Sequence, residues 1–138
     1  MQPRVRRSGL VLVLAALPLL LGMGTIGGGQ EVIQPPVDFH ATLVDKDGTR
    51  VDVSRVNIGG RVQLEGDLGR GNLRIPFANI NRIDFHSGAR DQIQATVHLS
   101  NGEPVNLRVR SSLTFYGQTS VGLYEVRARD LEHIEFAR

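Results

Sequence analysis

The feature that most constrains this chain is an alternation of apolar and polar residues that begins near residue 37. The alternating apolar positions are Val37, Phe39, Ala41 and Leu43 in one stretch and Ile93, Ala95, Val97 and Leu99 in another. A period of two puts one side of an extended segment in a core and the other side in water. No helical stripe of apolar residues follows residue 37, so the folded part is predicted to be all-β.

Two short turn signals interrupt the alternation. Asp47-Gly48 and Asn101-Gly102 each lie between two segments with strand character. Such dipeptides predict tight hairpins, because a type I′ turn needs positive φ at both central residues. Pro76 and Pro104 lie at strand positions and are expected at sheet edges or strand starts, since proline cannot donate to the ladder.

The alternating region is written twice. Ala41-Thr42-Leu43 matches Ala95-Thr96-Val97 at an offset of 54, and Ile83-Asp84-Phe85 matches Ile134-Glu135-Phe136 at an offset of 51. The change of three predicts an insertion in the first copy around residues 57–60. The sequence therefore predicts a duplication, with repeat one at 37–85 and repeat two at 92–136.

Each copy is predicted to contain five short strands. A six-residue loop bounded by glycines lies before the fourth strand, at Gly66–Gly71 and Gly117–Gly122. An apolar spacing of three at residues 77–80 and 128–131 predicts a 3₁₀ turn before the last strand. This pattern resembles the small barrels of SH3-like and Sm-like proteins, and the resemblance implies two tandem barrels that pack together. A single β-sandwich built from the duplication is the alternative, because fewer than about 50 residues are marginal alone.

The N-terminus has the layout of a secretory signal. Arg4, Arg6 and Arg7 precede a short apolar run that ends in small residues. Residues 1–24 are predicted to be a signal peptide, with cleavage as late as residue 29, and residues 25–36 a Gly/Pro linker to an all-β domain at 37–138. The protein is therefore expected to be periplasmic or secreted. An uncleaved signal serving as a membrane anchor is the alternative.

Charge and composition exclude several classes of function. The formal net charge of +2 falls to −1 without the signal, because thirteen basic residues then face fourteen acidic ones. Only seven residues are aromatic, which is few for a nucleic-acid stacking surface, so no nucleic-acid partner is expected. The chain has no cysteine, so disulfides, thiolate metal sites and thiol catalysis are absent.

Known catalytic and metal-binding motifs are also missing. The sequence contains no nucleophile elbow, no P-loop and no zinc motif, and Asp45–Gly48 has its glycine too early for a calcium loop. No cofactor or metal is expected. The leading hypothesis is a non-catalytic binding or structural module of the bacterial cell envelope. The alternative is a small periplasmic hydrolase or metal-dependent enzyme that uses His40 and His98 on neighbouring strands.

The candidate binding residues come from features that differ between the two copies. The expected partner is a protein or an envelope polymer, bound through the loops or the strand edges. The candidate loop residues are Asp67 and Arg70 in the first copy and Gln118, Thr119 and Ser120 in the second, with Tyr116 as an outward-facing aromatic anchor.

A basic stripe completes the candidates. Arg108, Arg110, Arg127 and Arg129 alternate with apolar residues and should share outward faces that an anionic partner could bind. The preferred interpretation is a solvated face in which they pair with Glu125, Glu132 and Glu135. Asp84 and Glu135 are themselves interpreted as polar-face residues or as protection of a sheet edge.

Overall fold

A computed structural model describes residues 37–137 of the chain. The predicted signal peptide and linker lie outside the described residues. Ten strands and two 3₁₀ turns form within them, and no helix there is long and apolar enough to cross a membrane. The strands are β1 Ala41–Asp45, β2 Arg50–Asn57, β3 Gln63–Leu68, β4 Gly71–Pro76, β5 Ile80–His86, β6 Gln92–Leu99, β7 Val105–Arg110, β8 Thr114–Gln118, β9 Leu123–Arg127 and β10 Leu131–Phe136.

All ten strands join one antiparallel sheet that curls into a half-barrel, which confirms the all-β prediction. Its order is β9-β8-β2-β1-β10-β5-β6-β7-β3-β4. The first segment of the chain (residues 41–86) and the second (residues 92–136) interleave in this order, because β8 lies beside β2 and β3 lies beside β7. Strands β10 and β5 are therefore at the centre, and β9 and β4 are at the edges.

The alternation of apolar residues is confirmed by burial. Ile93, Ala95 and Val97 of β6 are at most 7% exposed, while the residues between them are half-buried or exposed. One hydrophobic cluster collects the inward side chains of all ten strands, with β9 contributing half-buried residues. The ring of Phe77 lies 5.0 Å from that of Phe136, so residues distant in sequence meet in the same core.

Both predicted hairpins form, between β1 and β2 and between β6 and β7, but not through type I′ turns. In the first, only Gly48 has a positive φ, of 88°. The Asp45 carboxylate accepts hydrogen bonds from the backbone N–H groups of Asp47 and Thr49, at 2.9 and 3.0 Å. In this hairpin the prediction of turn type was wrong because a side-chain acceptor stabilises a longer loop. In the second hairpin neither Asn101 nor Gly102 has a positive φ.

The two predicted 3₁₀ turns are confirmed at Phe77–Asn79 and Ala128–Asp130. Each turns the chain from an edge strand into one of the two central strands. Pro76 ends the edge strand β4 and Pro104 directly precedes β7, as the missing proline N–H requires.

The glycine-bounded loops are shorter than predicted. Gly66 and Gly117 lie inside β3 and β8, and the β3–β4 turn is only Gly69-Arg70. A Cβ atom at Gly117 would lie 2.6 Å from the side chain of Val53 on β2, and one at Gly66 would lie 3.0 Å from the Arg108 carbonyl oxygen on β7. Glycine is needed at these positions because neighbouring strands approach closely, not because a loop bends there.

Substitution of Gly117 by alanine should therefore destabilise the sheet. Because the new methyl group overlaps Val53, Gly117→Ala should lower the free energy of unfolding by about 1–3 kcal/mol. Gly122→Ala is the matched control, since its Cβ meets nothing within 4 Å, and its effect should stay within about 0.5 kcal/mol. Urea denaturation followed by circular dichroism measures both, and equal midpoints for the two variants would contradict the close packing.

Candidate functional site

A groove opens where strands β3 and β7 part. Their register contains a single pair, Asp67↔Arg108, whereas β3 pairs with β4 along its whole length. No further residues of β3 and β7 are in register, and residues of both strands, Glu65 and Arg110 among them, line a cavity of about 290 Å³. This cavity, at the boundary between β3 and β7, is called the groove.

The groove has an apolar floor and a polar rim. Buried Gly66 and Val109 form part of the floor, together with half-buried Ile58 and Leu113. Because side chains alternate along a strand, the polar side chains of β3 and β7 lie on the face of the sheet that is turned away from the core. The polar lining consists of Arg61, Gln63, Glu65, Asp67, Asn72, Gln92, Arg108 and Arg110. A small number of polar groups over an apolar floor is typical of ligand sites, and the volume is near the lower end of their range.

Hydrogen bonds hold several rim groups in position. The side-chain amide of Gln92 donates to Asp67 Oδ2 at 3.2 Å. Arg108 Nη2 donates to the carbonyl oxygen of Gly69 at 2.8 Å, which ties the β7 side chain to the β3–β4 turn. Glu65 is paired with Arg74 at 3.6 Å. These contacts fix the rim before any ligand arrives.

A wider and shallower cavity of about 850 Å³ adjoins the groove and shares Gln92 and Arg110 with it. Arg90, Ser112 and Arg129 belong to its lining. Backbone hydrogen bonds connect its walls, because Arg129 N–H donates to the Ser111 carbonyl and Ser111 N–H donates to the Asp91 carbonyl, at 3.1 and 2.9 Å. The two cavities form one continuous surface through Gln92 and Arg110.

The predicted site residues divide between two regions. Asp67, Arg108 and Arg110 line the groove, and Arg129 lines the adjoining cavity. The remaining candidates lie elsewhere: Arg70 in the β3–β4 turn, Tyr116 and Gln118 on β8, Thr119 and Ser120 in the turn that follows, and Arg127 at the end of β9. The loop residues of the two copies are therefore not brought together.

Sequence reasoning missed Arg61, Glu65 and Gln92 of the groove lining. Glu65 had a usable signal, because its equivalent in the second copy, at an offset of 51, is the aromatic Tyr116. Arg61 likewise corresponds to Ser112 at an offset of 51. Neither Arg61 nor Gln92 could be placed beside β7 from sequence, because they reach the groove only through the way the strands pack.

The predicted pairing of the arginine stripe with glutamates is wrong. Glu135 pairs with Arg82 at 3.1 Å and Arg50 at 3.8 Å, and Glu132 contacts His133 at 3.2 Å. Within residues 37–137, no carboxylate lies within 4 Å of the guanidinium groups of the stripe. The reason is the strand order, which places β10 between β5 and β1 rather than beside the arginine-bearing strands.

A charge network crosses the centre of the sheet. Arg82 Nε donates to Asp84 at 2.8 Å and its Nη1 to Glu135 at 3.1 Å, and His98 Nε2 lies 2.8 Å from the other Asp84 oxygen. Burial opposes ionisation of Asp84, but the hydrogen bonds from Arg82 and His98 outweigh it and lower the pKa of this carboxyl. Asp84 and Glu135 are polar-face residues, as predicted, but edge protection was wrong because their strands are central.

The histidine pair considered for catalysis does not assemble. His40 lies just before β1, 3.5 Å from Asp38, whereas His98 lies on β6 beside Asp84. Strands β10 and β5 separate β1 from β6, so the expectation of neighbouring strands was wrong. In the part of the chain that the structure describes, no group of three or more histidine or carboxylate side chains could hold a metal ion.

Comparison with known proteins gives one match. A family model described as an uncharacterised protein matches residues 36–138, which include the whole described sheet. No curated protein and no solved structure matches the chain. The chemistry of the groove therefore follows from its own residues.

The charge network predicts a specific loss of stability in acid. Because the pKa of Asp84 is lowered by folding, its contribution is present above the unfolded-state value of about 3.9 and disappears as the pH falls through the folded-state value. Asp84→Asn should lower the free energy of unfolding by about 1 kcal/mol at neutral pH, and its difference from the parent should vanish in acid.

Asp47→Asn, in the exposed β1–β2 turn, is the control and should change stability little at any pH. Urea denaturation between neutral and strongly acidic pH measures the effect. A deficit of Asp84→Asn that stayed constant down to the lowest pH would contradict the network.

Proposed function

Because the chain belongs to this family of uncharacterised proteins, and membership assigns no activity, we propose its function from the groove and the N-terminal sequence. The protein is an exported, non-catalytic binding module of the bacterial cell envelope. The groove between β3 and β7 is its ligand site. The observation that carries this proposal is the groove itself, where β3 and β7 pair only at Asp67↔Arg108 and a cavity of about 290 Å³ has an apolar floor and a polar rim.

The residues of the two halves of the sheet can be compared position by position because of the duplication, which we also propose. Ile83 pairs with Ile134, its own equivalent at an offset of 51, as strands related by a local two-fold axis would. Asp67↔Arg108 corresponds to Gln118↔Ser54 when the offsets of 51 and 54 are applied. These registers support two copies of one unit.

In this proposal the two copies are intertwined. Each half of the sheet reads, from the centre outwards, as the fifth, first, second, third and fourth strands of a repeat. The first and second come from one copy, and the other three come from its neighbour. Five short strands with a 3₁₀ turn before the last support the SH3-like or Sm-like small-barrel interpretation for each half.

In the other half of the sheet, a bulge in β2 interrupts its register with β8. Arg55 has a φ of 53°, and the register shifts between Ser54 and Asn57 so that Asn57 still pairs with Tyr116 of β8. Asn57 Nδ2 also donates to the Arg55 carbonyl at 2.8 Å, which holds the bulge. Strand β7 shows no such bulge in its register with β6, and its register with β3 contains only the Asp67↔Arg108 pair.

The residues of the two halves differ as their geometry does. In the other half of the sheet, the equivalents of Arg110 and Glu65 are Val56 and Tyr116, and Val56 is fully buried. A groove with a charged rim adds no stability to a scaffold, whereas a ligand site needs a cavity with such polar groups. This difference supports binding as the role of the groove.

Export rests on the signal layout of residues 1–24, and fractionation tests it. When the full chain is expressed with its own N-terminus in a bacterial host, the mature protein should appear outside the cytoplasm and begin between residues 25 and 30. N-terminal sequencing of each fraction gives the start of the chain. Recovery in the cytosol with Met1 intact would contradict export.

Cross-linking in that compartment tests the groove. Arg110→Ala should abolish capture of the envelope partner, because it removes a charge shared by both cavities. Arg50→Ala is the control, since Arg50 lies on β2 in the other half of the sheet. Thermal unfolding of both variants excludes a loss of fold, and equal capture by the two variants would show that the groove is not the binding site.

A further inference from the structure

A concentration of unneutralised arginines surrounds the groove. Of the thirteen basic residues beyond the signal, five line the two cavities: Arg61, Arg90, Arg108, Arg110 and Arg129. Within residues 37–137, none of their guanidinium groups has a carboxylate within 4 Å. Three carboxylates also line the cavities. Within residues 37–137, Glu65 is paired with Arg74 and Asp67 and Asp91 form no ion pair within 4 Å, so the five arginines outnumber the carboxylates that could compensate them.

The chain beyond the signal is close to neutral overall, so these arginines are a local excess of positive charge. Like charges that gather without partners repel one another, and walls of low dielectric constant focus their field on the cavity. The planar guanidinium fork suits carboxylate and phosphate groups, which it can bind through two parallel hydrogen bonds. The ligand therefore carries several anionic groups.

Three of the five arginines belong to the second copy and have no arginine at the equivalent position of the first. Arg108 and Arg110 correspond to Ser54 and Val56 at an offset of 54, and Arg129 corresponds to Ala78 at an offset of 51. A charge needed for the shared scaffold would recur in both halves. Because Arg108, Arg110 and Arg129 do not recur in the first copy, they are associated with the ligand and not with the shared scaffold.

The uncharged polar residues of the lining indicate the class of ligand more closely. Gln63, Asn72 and Gln92 present side-chain amides, and Ser112 presents a hydroxyl. These groups both donate and accept hydrogen bonds, which matches sugar hydroxyls. Strands β3 and β7 already pair with each other at Asp67↔Arg108, so an extended peptide cannot insert as a full strand between them.

Resting on the proposed function, we infer that the groove and the adjoining cavity bind an acidic oligosaccharide. Its carboxylates contact the arginines, and its hydroxyls contact the amides and Ser112. The two connected cavities, of about 290 and 850 Å³, accommodate consecutive units of one chain rather than a single small anion.

Isothermal titration calorimetry with a galacturonic acid oligomer tests this inference on the exported chain, purified from the fraction where it accumulates. Binding should weaken as salt is raised, because charge supplies much of the attraction. Arg110→Ala should weaken binding by about tenfold, as expected for losing one charged contact. Lys46→Ala, which removes the same unit charge from the β1–β2 turn, should leave the affinity within about twofold.

Three further probes distinguish the alternatives. A neutral galactose oligomer should not bind, and inorganic phosphate should bind far more weakly than the acidic oligomer. Polyglutamate that bound as tightly as galacturonate, with the same loss in Arg110→Ala, would overturn the saccharide assignment in favour of an acidic peptide. Inorganic phosphate that bound as tightly as the galacturonic acid oligomer would overturn the inference that the ligand is an oligomer.

The inference and the proposed function can fail separately. If galacturonate does not bind but the Arg110-dependent cross-link persists, the ligand class is wrong and the binding module stands. If neither galacturonate binding nor the cross-link depends on Arg110, the ligand class and the proposed binding site are both wrong.

Discussion

The whole sheet depends on the contact between β5 and β10, the only strands within the described residues that join its two halves. Ile83 and Ile134 face each other at its centre, and both are fully buried. On the opposite face Arg82 reaches Glu135 and Asp84, and His98 completes the network. Apolar burial and charge pairing therefore act on the same strand pair, so a defect there would weaken both halves together.

Interleaving makes each half of the sheet depend on both segments of the chain. The hairpin β1–β2 is flanked by β10 and β8 from the other segment, and β6–β7 is flanked by β5 and β3. Close packing across these boundaries requires Gly66 and Gly117, which have no room for a side chain. The groove arises at one of the same boundaries, where β7 ends and no bulge extends it.

Local features were predictable because they depend on neighbours in sequence. The alternation identified the buried faces of β6 and β7, and the spacing of three identified both 3₁₀ turns. Features that depend on distant strands were not predictable. The sequence suggested that Gly66 bounds a loop, because nothing local reveals Arg108 and Leu107 beside it. His40 and His98 looked like neighbours because strand order cannot be read from alternation.

The sequence by itself determined that the domain is built from antiparallel strands, where the chain turns, and which residues differ between the two matching segments. Only the tertiary structure decided that β3 lies beside β7 and pairs with it at Asp67 alone, which places the groove at this boundary and brings Arg61 and Gln92 to the arginine stripe. The physical reason is that alternation fixes the face on which a side chain lies, whereas strand order and register are fixed by long-range hydrogen bonds and packing.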